Sequence, residues 1–251
     1  DVPGKRYIGH IVKDWPALID VGEETRYLGD AIAIVAARSK KGLEEILELI
    51  KVEYEELKPV TNPQEAMVEN APEIHEKGNV LTKEILKRGN ADEVISKSKY
   101  VVTKRYSTPF TDHAFLEPES ALAMLEDDVV KIYTGCQGVF SVQEECSELL
   151  GLPLEKVRVI NKLVGGAFGG KEDVSVQHHA ALLTWYTKKP VKVTLTRMES
   201  LIVHPKRHAM EMEFTTACDK NGKLTAMKAR IIADTGAYAS LGGPVLQRAC
   251  T

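Results

Sequence analysis

Short apolar runs alternate with amphipathic ones along this chain. Ala31-Ile32-Ala33-Ile34-Val35-Ala36-Ala37 is apolar, and its length predicts a buried strand. From Lys41 to Ile50, Leu43, Ile46, Leu47 and Ile50 recur at helical spacing, while Glu44, Glu45 and Glu48 face away. Lys51-Val52-Glu53-Tyr54-Glu55 alternates and predicts a second strand. Strand, helix and strand make a small α/β unit, which Pro59, Asn62 and Pro63 then interrupt. A polar, charged stretch over 81–95, with Gly89-Asn90 as a turn signal, predicts a connection between domains.

Beyond it, Tyr100 to Tyr106 alternates as a strand. Leu122–Leu125 and Val129–Tyr133 flank Glu126-Asp127-Asp128 and predict a hairpin. Ser141 to Leu150 predicts a helix stopped by Gly151. Val157-Arg158-Val159-Ile160 predicts a strand, and Val174 to Lys188 a helix. Further strands are predicted at Lys192–Leu195, Met210–Thr216 and Leu224–Ala233, with Asp219-Lys220-Asn221-Gly222 turning between the last two.

Between the strand ending near Ile160 and the next helix lies Val164-Gly165-Gly166-Ala167-Phe168-Gly169-Gly170-Lys171-Glu172. A turn so rich in glycine can take positive φ and bring main-chain N–H groups close to a ligand. Gly165 to Lys171 also fits most of a phosphate-binding loop. The position that should carry Ser or Thr to bind Mg²⁺ is Glu172, which places negative charge where a triphosphate would sit. A nucleotide hydrolase is therefore the weaker alternative.

Composition narrows the classes. The 251 residues, 43% of them hydrophobic, suffice for one large or two modest cores. A net charge of −3 gives no electrostatic case for nucleic acid. There is no run of about eighteen apolar residues for a membrane span, and no signal-peptide pattern. The four cysteines, Cys136, Cys146, Cys218 and Cys250, match no zinc or iron–sulfur spacing and suit a reducing cytoplasm. Asp1 is not an initiator, which leads us to expect a segment of a longer polypeptide or a split subunit.

Gly-Gly-Ala-Phe-Gly-Gly-Lys-Glu resembles a segment of the molybdenum hydroxylases, the xanthine dehydrogenase and aldehyde oxidase family. Asp1-Val2-Pro3-Gly4 and Tyr27-Leu28-Gly29-Asp30-Ala31-Ile32-Ala33 resemble that family's hammerhead domain. Thr108 to Glu119 resembles the opening of its cofactor-binding domain. His204-Pro205-Lys206-Arg207-His208 and Asp234-Thr235-Gly236-Ala237-Tyr238 continue the match in family order. The Glu after Gly-Gly-Lys brings the likeness nearest to the xanthine dehydrogenase branch.

The resemblance implies an α+β or α/β fold: part of an α/β hammerhead domain over 1–80, the connection over 81–95, and the first part of a molybdopterin-binding domain with mixed sheets and helices over 96–251. It implies a molybdenum-dependent oxidoreductase that inserts a water-derived oxygen into an electron-poor carbon of a purine or related N-heterocycle. The expected cofactor is molybdopterin with molybdenum, in its cytosine dinucleotide form. The expected partners are the rest of the molybdenum subunit and the subunits or domains carrying [2Fe–2S] and FAD. No nucleic acid or membrane partner is expected.

By the same resemblance, Gln137 and the main-chain nitrogen of Phe168 contact ligands of the molybdenum, with Gly166 and Gly169 alongside, and no side chain binds the metal directly. Glu172 and Arg248 would grip the heterocycle, the one hydrogen-bonding it and the other pairing with a carbonyl. Read by themselves, a strand-end Gln137 is an ordinary loop residue and Glu172 an acid at a helix N-terminus. His178 and His179 are adjacent on a helix, and Pro205 interrupts the pair His204 and His208, so none is assigned to metal. His113 and Glu117 are expected to be structural. The family's catalytic glutamate lies beyond Thr251, so the chain alone should be inactive. A cofactor-free structural or assembly module of the same fold is the competing reading.

Overall fold

The computed structural model describes residues 1–250. The fold is of the mixed class expected, with three sheets and several helices. It divides into two units whose segments interleave along the chain. The first comprises Asp1–Leu57, Asp112–Lys206 and Ala237–Leu241, and the second Lys58–Thr111, Arg207–Gly236 and the residues from Gly242 on.

The first unit is built on a four-stranded sheet in the order Val157–Asn161, Val129–Thr134, Ser120–Glu126, Val191–Thr194. The hairpin predicted around Glu126-Asp127-Asp128 is present. Asp127 and Asp128 both take positive φ, 50° and 59°, the two-residue geometry whose twist matches antiparallel strands. Strand Val129–Thr134 then pairs in parallel with Val157–Asn161 through the intervening helix Val139–Leu150. Gly151 ends that helix at φ 65°, a left-handed cap that glycine adopts without strain.

This helix and Gln177–Thr187 sit against the sheet. Val130, Ile132, Ala123, Val142, Cys146, Leu149, Ala180 and Ala181 are buried between them. Trp15, Tyr27 and Tyr238 form a stacked and edge-on aromatic group at the side of this core.

The second unit holds an antiparallel sheet in the order Tyr100–Thr108, Ala209–Cys218, Leu224–Asp234. The turn at Asp219–Gly222 joins the last two strands, with Gly222 N–H donating to Asp219 O at 3.1 Å. Helix Ala91–Lys97, capped by Asn90, and helix Gly242–Ala249 complete it. Among the described residues no helix is long and apolar enough to cross a membrane.

Three predicted elements differ. Residues 31–37 form no strand: Ala31 O accepts one bond from Ile19 N–H (2.8 Å), no ladder follows, and Ile32 is 37% exposed. Residues 51–55 are likewise exposed and without a ladder. An apolar or alternating run becomes a strand only when another strand takes up its N–H and C=O groups. The helix between them does form, as Lys40–Leu49, capped by the Ser39 side chain. Third, the helix expected from Val174 starts at Gln177. Val174 and Val176 are buried in irregular backbone, and the Gln177 side-chain oxygen accepts from Ser175 N–H and Val176 N–H, at 2.8 and 3.0 Å.

Candidate active site: a glutamine beside a glycine turn

Parallel pairing sets the C-terminal ends of Val129–Thr134 and Val157–Asn161 side by side, with Thr134 opposite Asn161. The loops that follow the two strands therefore leave from one edge of the sheet, the place where open α/β sheets bind ligands. The Asn161 amide fastens them together: it accepts from Cys136 N–H at 3.0 Å and donates to Cys136 O at 3.1 Å. Lys162 N–H donates to Thr134 O at 2.8 Å. Gln137 stands at the head of one loop and the glycine turn in the other.

The structure brings Gln137 and the turn into direct contact. Gln137 Oε1 accepts from Gly169 N–H at 3.0 Å and from Lys171 N–H at 3.1 Å. Gln137 N–H in turn donates to Lys171 O at 2.8 Å. Two backbone donors fix which end of the amide is oxygen, since an NH₂ group there would face two other donors. Gln137 is exposed, and its Nε2 has no hydrogen-bond partner among the described residues.

Within the turn, Gly170 N–H donates to Ala167 O at 2.8 Å. Phe168 occupies the left-handed region at φ 56° and is 65% exposed. A non-glycine residue holds that conformation only when its surroundings enforce it. Gly166 has φ 125°, which an L side chain rarely adopts. The main-chain N–H groups of Gly166 and Ala167 have no acceptor among the described residues. Gly170 is needed for a different reason, because a Cβ there would lie 2.6 Å from His204 Nε2 and 2.8 Å from the His113 ring.

Glu117 supports the turn from the preceding segment. Its Oε1 accepts from Gly165 N–H at 2.9 Å and from the Lys171 ammonium, which is buried and lies 4.2 Å from the centre of the Phe115 ring. Burial works to raise the Glu117 pKa, but the Lys171 and Gly165 contacts outweigh it and hold the carboxyl below its ordinary range. Deeper in, His204 Nδ1 lies 2.6 Å from Glu119 Oε1, both side chains being fully covered. Burial again opposes charge on Glu119, and the contacts to His204 and Ser200 lower its pKa overall. The sequence signal for Glu117 was its place in the Thr108–Glu119 segment. For Lys171 it was only its place after the glycines, and neither signal pairs one with the other.

Glu172 is half-buried and carries no hydrogen bond among the described residues. It lies five positions before the helix start at Gln177, so it does not cap a helix. Arg248 lies in the last turn of helix Gly242–Ala249, in the second unit, and is exposed. Among the described residues no three His, Cys, Asp or Glu side chains converge as a metal site. The donors present suit a cofactor held through its own ligands. A fixed amide NH₂ and unpaired main-chain N–H groups are what oxygen or sulfur atoms of a metal–pterin group would accept from.

Residues 74–251 match the family model of the molybdopterin cofactor-binding domain. The chain is 40% identical over 249 residues to the nicotinate dehydrogenase large molybdopterin subunit of Eubacterium barkeri, covering 99% of this chain and 58% of that protein. It is 39% identical over 247 residues to one subunit of a probable xanthine dehydrogenase of Bacillus subtilis, covering 98% of this chain and 33% of that protein. Among solved structures, the aldehyde oxidoreductase of Desulfovibrio gigas superposes with a TM-score of 0.91 at 26% identity, over 98% of this chain and 28% of that one. The chain thus spans about a third to somewhat over half of these curated relatives. With the glycine turn, the fold and the relatives in agreement, the chain belongs to the molybdenum hydroxylase family and carries its molybdopterin cofactor-binding domain.

Proposed function

We propose that this chain is the part of a xanthine dehydrogenase-like hydroxylase that holds one side of the molybdenum cofactor and presents an N-heterocycle, with purines favoured, to it. The observation that carries the reading is the Gln137 amide, its oxygen fixed by Gly169 and Lys171 and its NH₂ left without a protein partner among the described residues. When bound, molybdopterin with molybdenum supplies the oxidising centre and a water-derived oxygen.

The chain's own residues bind and orient. Gln137 Nε2 and main-chain N–H groups of the turn, Phe168 among them with Gly166 and Gly169 beside it, donate toward the cofactor's ligands. Fixed dipoles of this kind need no reorganisation as charge develops. Glu172 hydrogen-bonds one edge of the ring and Arg248 pairs with a carbonyl on another, so that the reacting carbon faces the metal. The cofactor would be the cytosine dinucleotide form, and [2Fe–2S] and FAD partners would carry the electrons away. By itself the chain would hold only part of this site and turn over no purine.

The test uses the full-length assembled enzyme. Glu172→Ala and Arg248→Ala should each lower kcat/KM for a purine by roughly 30- to 1000-fold, as for loss of about 2–4 kcal/mol of transition-state stabilisation. Turnover of an aromatic aldehyde should be spared. Equal losses on both substrates would remove the purine assignment. Absence of metal and pterin from the wild-type complex would favour the structural-module reading.

A further inference from the structure

Lys171 occupies a position that its place in the glycine motif does not explain. Its side chain is almost wholly covered, with only 4% exposed. Its ammonium reaches Glu117, over the face of Phe115. Its main chain, meanwhile, meets Gln137 twice, through Lys171 N–H to Gln137 Oε1 and Gln137 N–H to Lys171 O. Glu117 is likewise doubly engaged, taking Gly165 N–H at the start of the turn and the Lys171 ammonium at its end on one oxygen.

The turn is thus closed from both ends by one carboxylate, and the residue that completes the closure is one of the two that hold the Gln137 amide oxygen. A chain rich in glycine has high conformational freedom when unrestrained, and Phe168 sits in a sparsely populated conformation that must be enforced from outside. We propose that Glu117 and Lys171 form a positioning pair that holds the glycine turn and the Gln137 amide in working register. The ion pair acts as one unit and touches neither substrate nor metal. This rests on the reading of the turn as a cofactor contact given above.

A pair acting as a unit has a distinctive signature. Removing the Glu117 charge strands the covered Lys171 ammonium, whereas Glu117, 39% exposed, can turn to water when Lys171 is lost; removing both leaves no buried charge unpaired. The experiment compares wild type, Glu117→Gln, Lys171→Met and the double variant in the full-length assembled enzyme. Hydrogen exchange at the Gly165, Gly169 and Lys171 amides is measured alongside kcat, KM and molybdenum content. Each single variant should speed exchange at these amides about tenfold or more. Each should lower kcat roughly 10- to 100-fold, the scale of a small misplacement of reacting groups, with KM changed less than about twofold. The double variant should be no worse than the worse single variant.

Unchanged amide exchange in both single variants overturns the proposal, as do losses that multiply in the double variant. A rise in KM with kcat intact does so as well, since it would mean that the pair binds substrate. If Lys171→Met does not fold, Glu117→Gln alone still decides, because its amide oxygen can keep the Gly165 bond while the charge is lost. The exchange readout needs no activity. A wild-type complex without molybdenum would therefore defeat the functional reading while the fate of the pair was still being settled.

Discussion

Strands Val129–Thr134 and Tyr100–Thr108 are built from the same kind of sequence and have opposite surroundings. In the first, Val-Val-Lys-Ile-Tyr-Thr alternates, and Val130, Ile132 and Thr134 are buried. In the second, Tyr-Val-Val-Thr-Lys-Arg-Tyr-Ser-Thr carries as many β-branched and aromatic residues, yet all nine are exposed. The difference lies in the second layer. Helices Val139–Leu150 and Gln177–Thr187 cover the first unit's sheet, and both have many buried residues. In the second unit, helix Ala91–Lys97 lies against the sheet without burying any of its own. Alternation specifies that a strand forms, and only a covering layer makes one of its faces a core.

The largest test of this contrast is truncation at matching positions. Ile132→Ala should destabilise the first unit by roughly 2–5 kcal/mol, whereas Val102→Ala should change stability by less than about 0.5 kcal/mol. Native-state hydrogen exchange, which reads the two sheets separately, would check this. Similar costs at both sites would mean that the second sheet is covered in the protein as it is measured.

Buried acids sharpen the contrast next. Among the described residues, Glu119, Glu145 and Asp173 are the buried ones, and all lie in the first unit. Burial pushes Glu145 up to about 7, with the Gly9 N–H bond offsetting part of the rise and nearby Asp173 adding to it. Its folded pKa lies above its ordinary value, so the native state keeps a proton that the unfolded chain has released. Stability from this group is fully present below about pH 4.5 and is lost as pH rises through about 7. Glu145→Gln should flatten that fall and stabilise the first unit at pH 8 by up to about 3.5 kcal/mol, at 1.4 kcal/mol per pKa unit. Tryptophan fluorescence against urea reads this unit directly, since Trp15 and Trp185 both belong to it. An unchanged pH dependence would show that another group carries the proton.

A smaller effect of opposite sign is expected at two glycines. Gly170→Ala forces a methyl group against His204 and His113 and should cost about 1–3 kcal/mol. Gly243, in helix Gly242–Ala249, has nothing within 4 Å of an added Cβ. Gly243→Ala should therefore gain about 0.5–1 kcal/mol from helix propensity. Thermal unfolding checks both, and a stabilising Gly170→Ala would contradict the close packing beneath the turn.

What the sequence made legible follows the range of the forces involved. The Glu126-Asp127-Asp128 hairpin and the Gly151 stop are local, and both form where expected. Helix Arg197–Val203 has a local signal that hydrophobic periodicity misses: Thr196 and Glu199 form a reciprocal capping box. Helix Ala91–Lys97 is hidden for a related reason. Its Asn90 cap and Glu93 follow the same logic, but its charged surface reads as a linker. The strands expected at 31–37 and 51–55 do not form because pairing is a property of two segments, and a run read alone shows only one. At the candidate site the glycine turn is plain in sequence. Its contact with Gln137, 32 positions earlier, depends on parallel pairing of two strands, and the Glu117–Lys171 bridge spans 54 positions. No local pattern encodes either.

The interleaving of the two units along the chain bears on synthesis. The first unit is closed by its last short segment, where Ala239 N–H donates to Asp14 at 2.8 Å, Tyr238 to Asp30, and Ser240 to Asp173. A ribosome releases Asp14 and Asp30 more than two hundred residues before their partners. The hairpin of Ala209–Cys218 and Leu224–Asp234 needs only neighbouring residues and leaves the exit tunnel first. On a growing chain that hairpin is therefore free to form, and to join the Tyr100–Thr108 strand made earlier, before the first unit's closing segment emerges; the second unit's own helix Gly242–Ala249 comes last of all.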